Sequence, residues 1–469
     1  MPCLVANTRM LWEKRRKRKP HTMKLTKHIL SLLSFLLLIS CVQAESQSRT
    51  NSNVASLSLT GDWSVLVEYR DQRTELAIEP AEFINVESEK HDRLPLYETL
   101  GTWNAQCFPR QIRSPENMPT TFALDDDSVV IRAGESPDSE TFQQGRDFEV
   151  MPLWGAIGRK ADGRIGENQP VWFSYRFGEM RLDSVVLTAD GKIALRKGTP
   201  DITIPVPPEL PNGETRLANI WVKACIEKLE LQLLFPISET AYPEAEKRKG
   251  ETIAETLLPR TMAKLQNGEP LRVLAWGDSV TDASYVTDRS QRWQERFASQ
   301  LQARFPDAQV ELVTEGWGGR TTTAYLAEPP GSERNYREKV LDRKPDLVVM
   351  EFVNDGGLPL DVLESVYAGL LNDFRSRNIE WLILTPHYVR ADWMGLDNER
   401  DIDEDPRHYV HFVRRFGQEN SVAVADAAAR YGRMWRQGIP YSTLMYNNIN
   451  HPTPEAMQIF ADALMAVFP

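Results

Sequence analysis

"RVLAWGDSVTDASYV", residues 272–286, sets an apolar run directly against Gly277-Asp278-Ser279. Such a run, stopped by glycine, reads as a strand buried on both faces, since a strand of that kind needs no polar alternation. Ser279 then stands at the strand's carboxyl end. It either caps a helix or presents a hydroxyl at the rim of a sheet, and the chain that follows decides between the two. Further apolar runs at 308–314, 346–352, 380–385 and 421–425 are interleaved with amphipathic stretches near 290–305, 361–377 and 406–418. This alternation predicts a mostly parallel sheet covered by helices on both faces. "LLPRTMAKLQNG" (257–268) predicts a preceding helix, opened by Pro259 and closed by Asn267-Gly268. "TPEAMQIFADALMAVF" (453–468) predicts a final one, with Thr453 as cap and Pro454 in the first turn. In open sheets of this kind the ligand lies beyond the carboxyl ends of the strands. Ser279 follows the first strand, Gly316 to Arg320 the second, Asn354-Asp355 the third and His387 the fourth, while His451 immediately precedes the last helix. Polar stretches far apart in sequence are therefore expected on one rim.

Four blocks carry more than position. "GDSVTD" (277–282), "TEGWGGRTT" (314–322), "EFVNDGG" (351–357) and "NNINHPTPEAMQIFADAL" (447–464) occur in this order. Together they make residues 255–469 resemble the SGNH, or GDSL-type, hydrolases. The resemblance implies a flavodoxin-like three-layer α/β sandwich with Ser279 as nucleophile and His451 as base. It implies an oxyanion hole formed by the Ser279 and Gly319 backbone N–H groups and the Asn354 side-chain amide. No metal and no organic cofactor are implied. Two positions depart from the family pattern. Val353 stands where many members have glycine, and Asn448 stands where they have the aspartate three residues before the histidine. That aspartate accepts a hydrogen bond from Nδ1–H and stabilises the imidazolium, and an amide in its place cost about 10⁴-fold in one well-studied triad. Three readings stay open: Asn448 orients His451 through its carbonyl, another acceptor such as a backbone carbonyl, Asp426 or Asp282 replaces it, or the site is a relic.

Other constellations are weaker. Gly316-Trp317-Gly318-Gly319 lacks the third glycine of a dinucleotide loop, because Thr321 occupies that position. His408 and His411 share a helix face without a third metal ligand. Trp317 and His387 are candidate substrate-binding residues, Trp317 through its ring face.

From about Ser56 to Ile237 the pattern is different. "LSLTGDWSVLVEYRD", "QPVWFSYRF" and "DSVVLTADGKIALRKG" are short β-type runs broken by turn residues, with Asp190-Gly191 a strong hairpin signal. An all-β module, read as a sandwich, is expected over 45–240, followed by a charged linker at 241–254 and the hydrolase-like region at 255–469. Residues 1–44 read as an export segment: basic residues after Met23, the apolar "ILSLLSFLLLIS", then either a lipobox-like "LISC" that would lipidate Cys41 or a "VQA" cleavage site. The expected location is periplasmic, surface-anchored or secreted.

The chain of 469 residues has a formal charge of −11. Setting aside residues 1–44, with nine Lys/Arg against one Glu, leaves about −19. Such an acidic surface argues against nucleic acid as ligand. Cys107 and Cys225, the cysteines beyond the export segment, are either bridged or buried thiols. The expected partner is a small-molecule or polysaccharide ester. Removal of acetyl groups from an extracellular or periplasmic carbohydrate is the favoured activity. The alternatives are a non-catalytic carbohydrate- or surface-binding protein with a degenerate site, and a lipase or short-chain acyl esterase. The loops near 286–290 and 392–405, rich in Asp, Arg and Glu, lean against a lipase.

Overall fold

Five parallel strands organise the C-terminal region: β1 (Pro270–Gly277), β2 (Gln309–Gly316), β3 (Leu347–Glu351), β4 (Glu380–Leu384) and β5 (Ala423–Ala425). Their order is β2-β1-β3-β4-β5, every neighbouring pair parallel. The computed structural model describes residues 53–101, 107–243 and 250–469. The export segment, Cys41 and residues 244–249 of the 241–254 linker lie outside the described residues.

The pleat sends alternate residues to opposite layers. Leu271, Val273 and Ala275 of β1 pack with α1 (Pro259–Asn267), α2 (Trp293–Arg304) and α5 (Pro454–Met465). Leu274 and Trp276 pack with α3 (Leu360–Ser376) and α4 (His408–Asn420) on the other side. Helix α3 buries Leu363, Tyr367, Leu370 and Phe374, one stripe at helical spacing. Helix α5 starts where expected, with the Thr453 side chain accepting from Ala456 N and Pro454 in its first turn. The result is a three-layer sandwich whose strand order reverses between β1 and β3. That reversal opens a crevice at their carboxyl ends.

The region before it is all β, built of small antiparallel sheets. Ser56–Gly61, Ser64–Tyr69 and Gln72–Ala77 form one; Phe83–His91, Val171–Gly178, Leu124–Arg132 and Thr141–Phe142 form a second. Arg181–Leu187 and Ile193–Arg196 are joined by the Asp190-Gly191 turn and pair within a third sheet, and Phe148–Met151 with Ala156–Arg159 makes a fourth. The β-rich and α/β regions share their cores. Ile449 is buried in the cluster around Phe173 and Trp154, and Trp435 packs on the cluster around Trp221. The described residues form one compact unit. Cys107 is buried, Cys225 is exposed, and both are free thiols.

Candidate active site

The β1 strand ends at Gly277 because no larger residue fits: a Cβ there would lie 2.2 Å from the Glu351 carbonyl oxygen and 2.1 Å from Thr281 Oγ1. Asp278 caps the short helix Ser279–Asp282, its buried carboxylate accepting from Val280 N at 3.1 Å. Ser279 is thereby the first helical residue and sits half-buried at the crevice. The other oxygen of Asp278 accepts from Asn354 N (2.9 Å) and from its side-chain Nδ2 (2.8 Å). An amide nitrogen carries two N–H bonds, so this contact fixes the Asn354 carboxamide and leaves its second donor available. After β2, Gly318 abuts the serine, a Cβ built on it falling 3.6 Å from Ser279 Cβ, and Gly319 takes a φ of 70°, where a side chain would be strained.

His451 reaches the serine from the loop before α5. Ser279 Oγ–H donates to His451 Nε2 at 3.1 Å. That loop is fixed by its own side chains: Asn447 Oδ1 accepts from the backbone N–H groups of Ile449, Asn450 and His451 at 3.0, 2.9 and 3.1 Å. The imidazole lies flat on Tyr285, ring centroids 4.4 Å apart and planes 3° apart.

The partner of Nδ1 is Glu116. His451 Nδ1–H donates to Glu116 Oε2 at 2.5 Å, and both side chains are largely buried. Glu116 comes from the β-rich region, at the tip of a tight turn in which Ser114 N donates to the Met118 carbonyl, Met118 N to Ser114 Oγ and Asn117 N to the Ser114 carbonyl. Asn117 adopts a φ of 63°, which asparagine tolerates better than most residues.

Four expectations meet a different arrangement. Asn448 does not meet the histidine: at a φ of 54° its side chain turns away, and its Oδ1 accepts from Thr121 Oγ1 at 2.9 Å, tying the loop of His451 to the segment of Glu116. Asp426 is engaged by Arg414 and Thr385, and Asp282 by Ser284. His387 is fully buried and cannot touch substrate; its Nε2–H donates to the Asn450 carbonyl at 2.7 Å and steadies the histidine loop. Burial pushes His387 down to about 3, so it stays neutral. Trp317 is half-buried, edge-on to Tyr325 at 5.4 Å, with the Arg320 guanidinium 5.0 Å from its ring centre, so packing accounts for it. Ser279, Gly319, Asn354 and His451 all lie on the expected rim. Glu116 and Asn447 went unread. Asn447 carried a signal, an asparagine two residues before the backbone N–H it holds; Glu116 carried none beyond a plain "SPEN" turn.

Beneath the serine lies a buried acidic pair. Burial, aided by nearby Asp278, pushes Glu351 well above the carboxylate range, and burial pushes Asp278 up to about 6 against the hydrogen bonds from Asn354 and Val280. An acid whose pKa rises on folding binds its proton more tightly when folded. Stability therefore declines as pH climbs from the unfolded value toward the folded one. Glu351→Gln removes that liability and is expected to raise the melting temperature by a few degrees more at pH 8 than at pH 5. A gain that is equal at both, or larger at pH 5, would show that Glu351 is held ionised.

A three-layer sandwich carrying a hydroxyl, imidazole and carboxylate in one line at its switch point has the build of a serine hydrolase. Residues 275–459 match the family of GDSL-like lipases and acylhydrolases. The matched stretch holds the parallel sheet and the segments that carry Ser279, Gly319, Asn354 and His451. No curated protein matches the chain. Among solved structures, a two-domain esterase active on acetylated mannans is 17% identical over 45% of this chain and 52% of its own, with a TM-score of 0.37. The chain thus spans about half the length of that relative. A catalytic mutant of an acetylxylan esterase from Geobacillus stearothermophilus is 20% identical over 42% of this chain and 92% of its own, TM-score 0.35. A carbohydrate acetylesterase family member from Sinorhizobium meliloti is 18% identical, covering 41% and 95%, TM-score 0.29.

Proposed function

We propose that the protein is a serine esterase that removes acetyl groups from a carbohydrate outside the cytoplasm. The observation that carries the chemistry is the unbroken line from Glu116 through His451 to Ser279. In this reading His451 takes the Ser279 proton as Oγ attacks the ester carbonyl, while Glu116 holds the Nδ1–H tautomer and offsets the imidazolium charge. The tetrahedral oxyanion is received by the Ser279 and Gly319 N–H groups and the free N–H of the Asn354 amide. His451 then protonates the departing sugar oxygen, and water repeats the attack on the acyl-enzyme. Both steps use only these groups.

The choice of ester rests on layout. The β-rich region contributes a residue to the site's own hydrogen-bond chain, so it is part of the reaction centre as well as a candidate polysaccharide platform. The polar loops at 286–290 and 392–405 suit a hydrated sugar better than a lipid tail. The non-catalytic alternative drew its support from Asn448, and a carboxylate at Nδ1 removes that support. The test is acetate release from acetylated mannan and acetylated xylan, beside hydrolysis of matched acetyl, butyryl and octanoyl chromogenic esters. Acetate release with preference for the acetyl ester is expected. Preference for octanoyl with no acetate release overturns the carbohydrate reading and favours a lipase.

A further inference from the structure

A second cavity, of about 210 Å³, lies where the β-rich and α/β regions meet, and neither Ser279 nor His451 lines it. Thr121 and Asn448, the hydrogen-bonded pair that ties the Glu116 segment to the His451 loop, form part of its wall. It therefore adjoins both loops that supply the proton-handling groups. Another wall carries a cation without a hydrogen-bond partner. Lys223 Nζ has no hydrogen bond or ion pair with any described residue and sits 4.0 Å from the centre of the Trp221 ring. An ammonium without a hydrogen-bond partner at a cavity wall points to a ligand that supplies acceptors.

The rim adds an aromatic side chain in an unusual state. Phe122 is 55% exposed and holds a φ of 59°, a conformation that a bulky residue rarely adopts. An exposed ring fixed by a strained backbone suits a platform for the C–H face of a sugar. Glu399 and Asp397 face the same cavity as acceptors for hydroxyl groups, Glu399 also receiving Ser442 N at 3.0 Å. The charges choose among sugars. Arg390 is already held by Asp392 through two bonds of 2.8 and 3.0 Å, which leaves Lys223 as the unpaired cation opposite two carboxylates. An anionic sugar would meet net repulsion there; a neutral one meets donors and acceptors together.

We propose that this cavity is a subsite for one neutral pyranose unit of the glycan chain whose ester is cleaved at Ser279. The proposal rests on the carbohydrate reading of the active site and extends it to a second point of attachment, built jointly by both regions.

Calorimetric titration of the mature protein with unacetylated mannopentaose, xylopentaose and trigalacturonate tests it, with Phe122→Ala and Lys223→Met alongside and melting temperatures checked for all. Binding of at least one neutral pentaose is expected, weakened tenfold or more in both variants. Absence of binding to either neutral pentaose, binding that both variants leave unchanged, or binding of trigalacturonate alone overturns the subsite. If a variant does not fold, a crystal of the wild type soaked with the binding pentaose decides, a sugar ring beside Phe122 and Lys223 supporting the assignment and a sugar elsewhere overturning it. Because these ligands carry no ester, the result is independent of turnover. Binding without acetate release from the acetylated polymers would overturn the deacetylase reading and leave the cavity's sugar specificity standing.

Discussion

Glu116→Gln is expected to lower kcat for a short-chain acetyl ester about 10⁴-fold while KM and the melting temperature stay near wild type. The amide has the size of the carboxylate but neither of its functions. If its NH₂ faces Nδ1, the imidazole must accept there and carry its proton on Nε2, so it cannot take the proton of Ser279. If its carbonyl faces Nδ1, the tautomer survives, but the charge that stabilises the imidazolium is gone. Either way the loss falls on the chemical step, because Glu116 contacts His451 at 2.5 Å and the histidine stands between it and the serine. The turn that carries Glu116 is held by Ser114 and backbone bonds, so its conformation does not depend on the carboxylate. Glu116→Asp keeps the charge on a shorter arm and is expected to recover 10-fold or more over the glutamine variant. A glutamine variant within tenfold of wild type would remove Glu116 from the mechanism, and so would an aspartate variant no better than the glutamine one.

This dependence explains what the sequence made legible. The strands of the parallel sheet are legible within a few residues, since β1, β3, β4 and β5 each hold a short apolar run closed by a glycine or polar residue, and the edge strand β2, QVELVTEG, still ends at a glycine. The four blocks place Ser279, Asn354 and His451 because each lies next to an element boundary, where local pattern reports position. Glu116 is different in kind. It lies 335 residues from His451, in a turn whose composition matches many turns, and its role exists only because the β-rich core encloses Ile449. No periodicity within either region encodes a contact between them. Asn448 misled for a related reason. Its spacing from the histidine invites comparison with a catalytic carboxylate, whereas its backbone needs a residue that tolerates positive φ and its side chain needs to accept from Thr121. A substitution that looked like decay of the site is a fastening between the regions, and the missing charge enters from the other side of it.

Ser279→Ala is expected to lower kcat by roughly 10⁶-fold, the scale seen when the nucleophile of a cooperating serine–histidine pair is removed. The more informative experiment pairs it with the first. Residues that act as one unit are strongly non-additive, so Ser279→Ala combined with Glu116→Gln should be no slower than Ser279→Ala alone. Once the hydroxyl is gone, an oriented imidazole has no proton to take from it, and disorienting that imidazole costs nothing further. A histidine that activated water directly would behave otherwise. Ser279→Ala would then keep substantial activity, and Glu116→Gln would remove it again in the double variant. Retained turnover in Ser279→Ala that Glu116→Gln still depresses would therefore replace the acyl-enzyme by direct attack of water, with the same histidine and glutamate in place. Equal residual rates in the single and double variants assign the three side chains to one proton path that begins at the Ser279 hydroxyl.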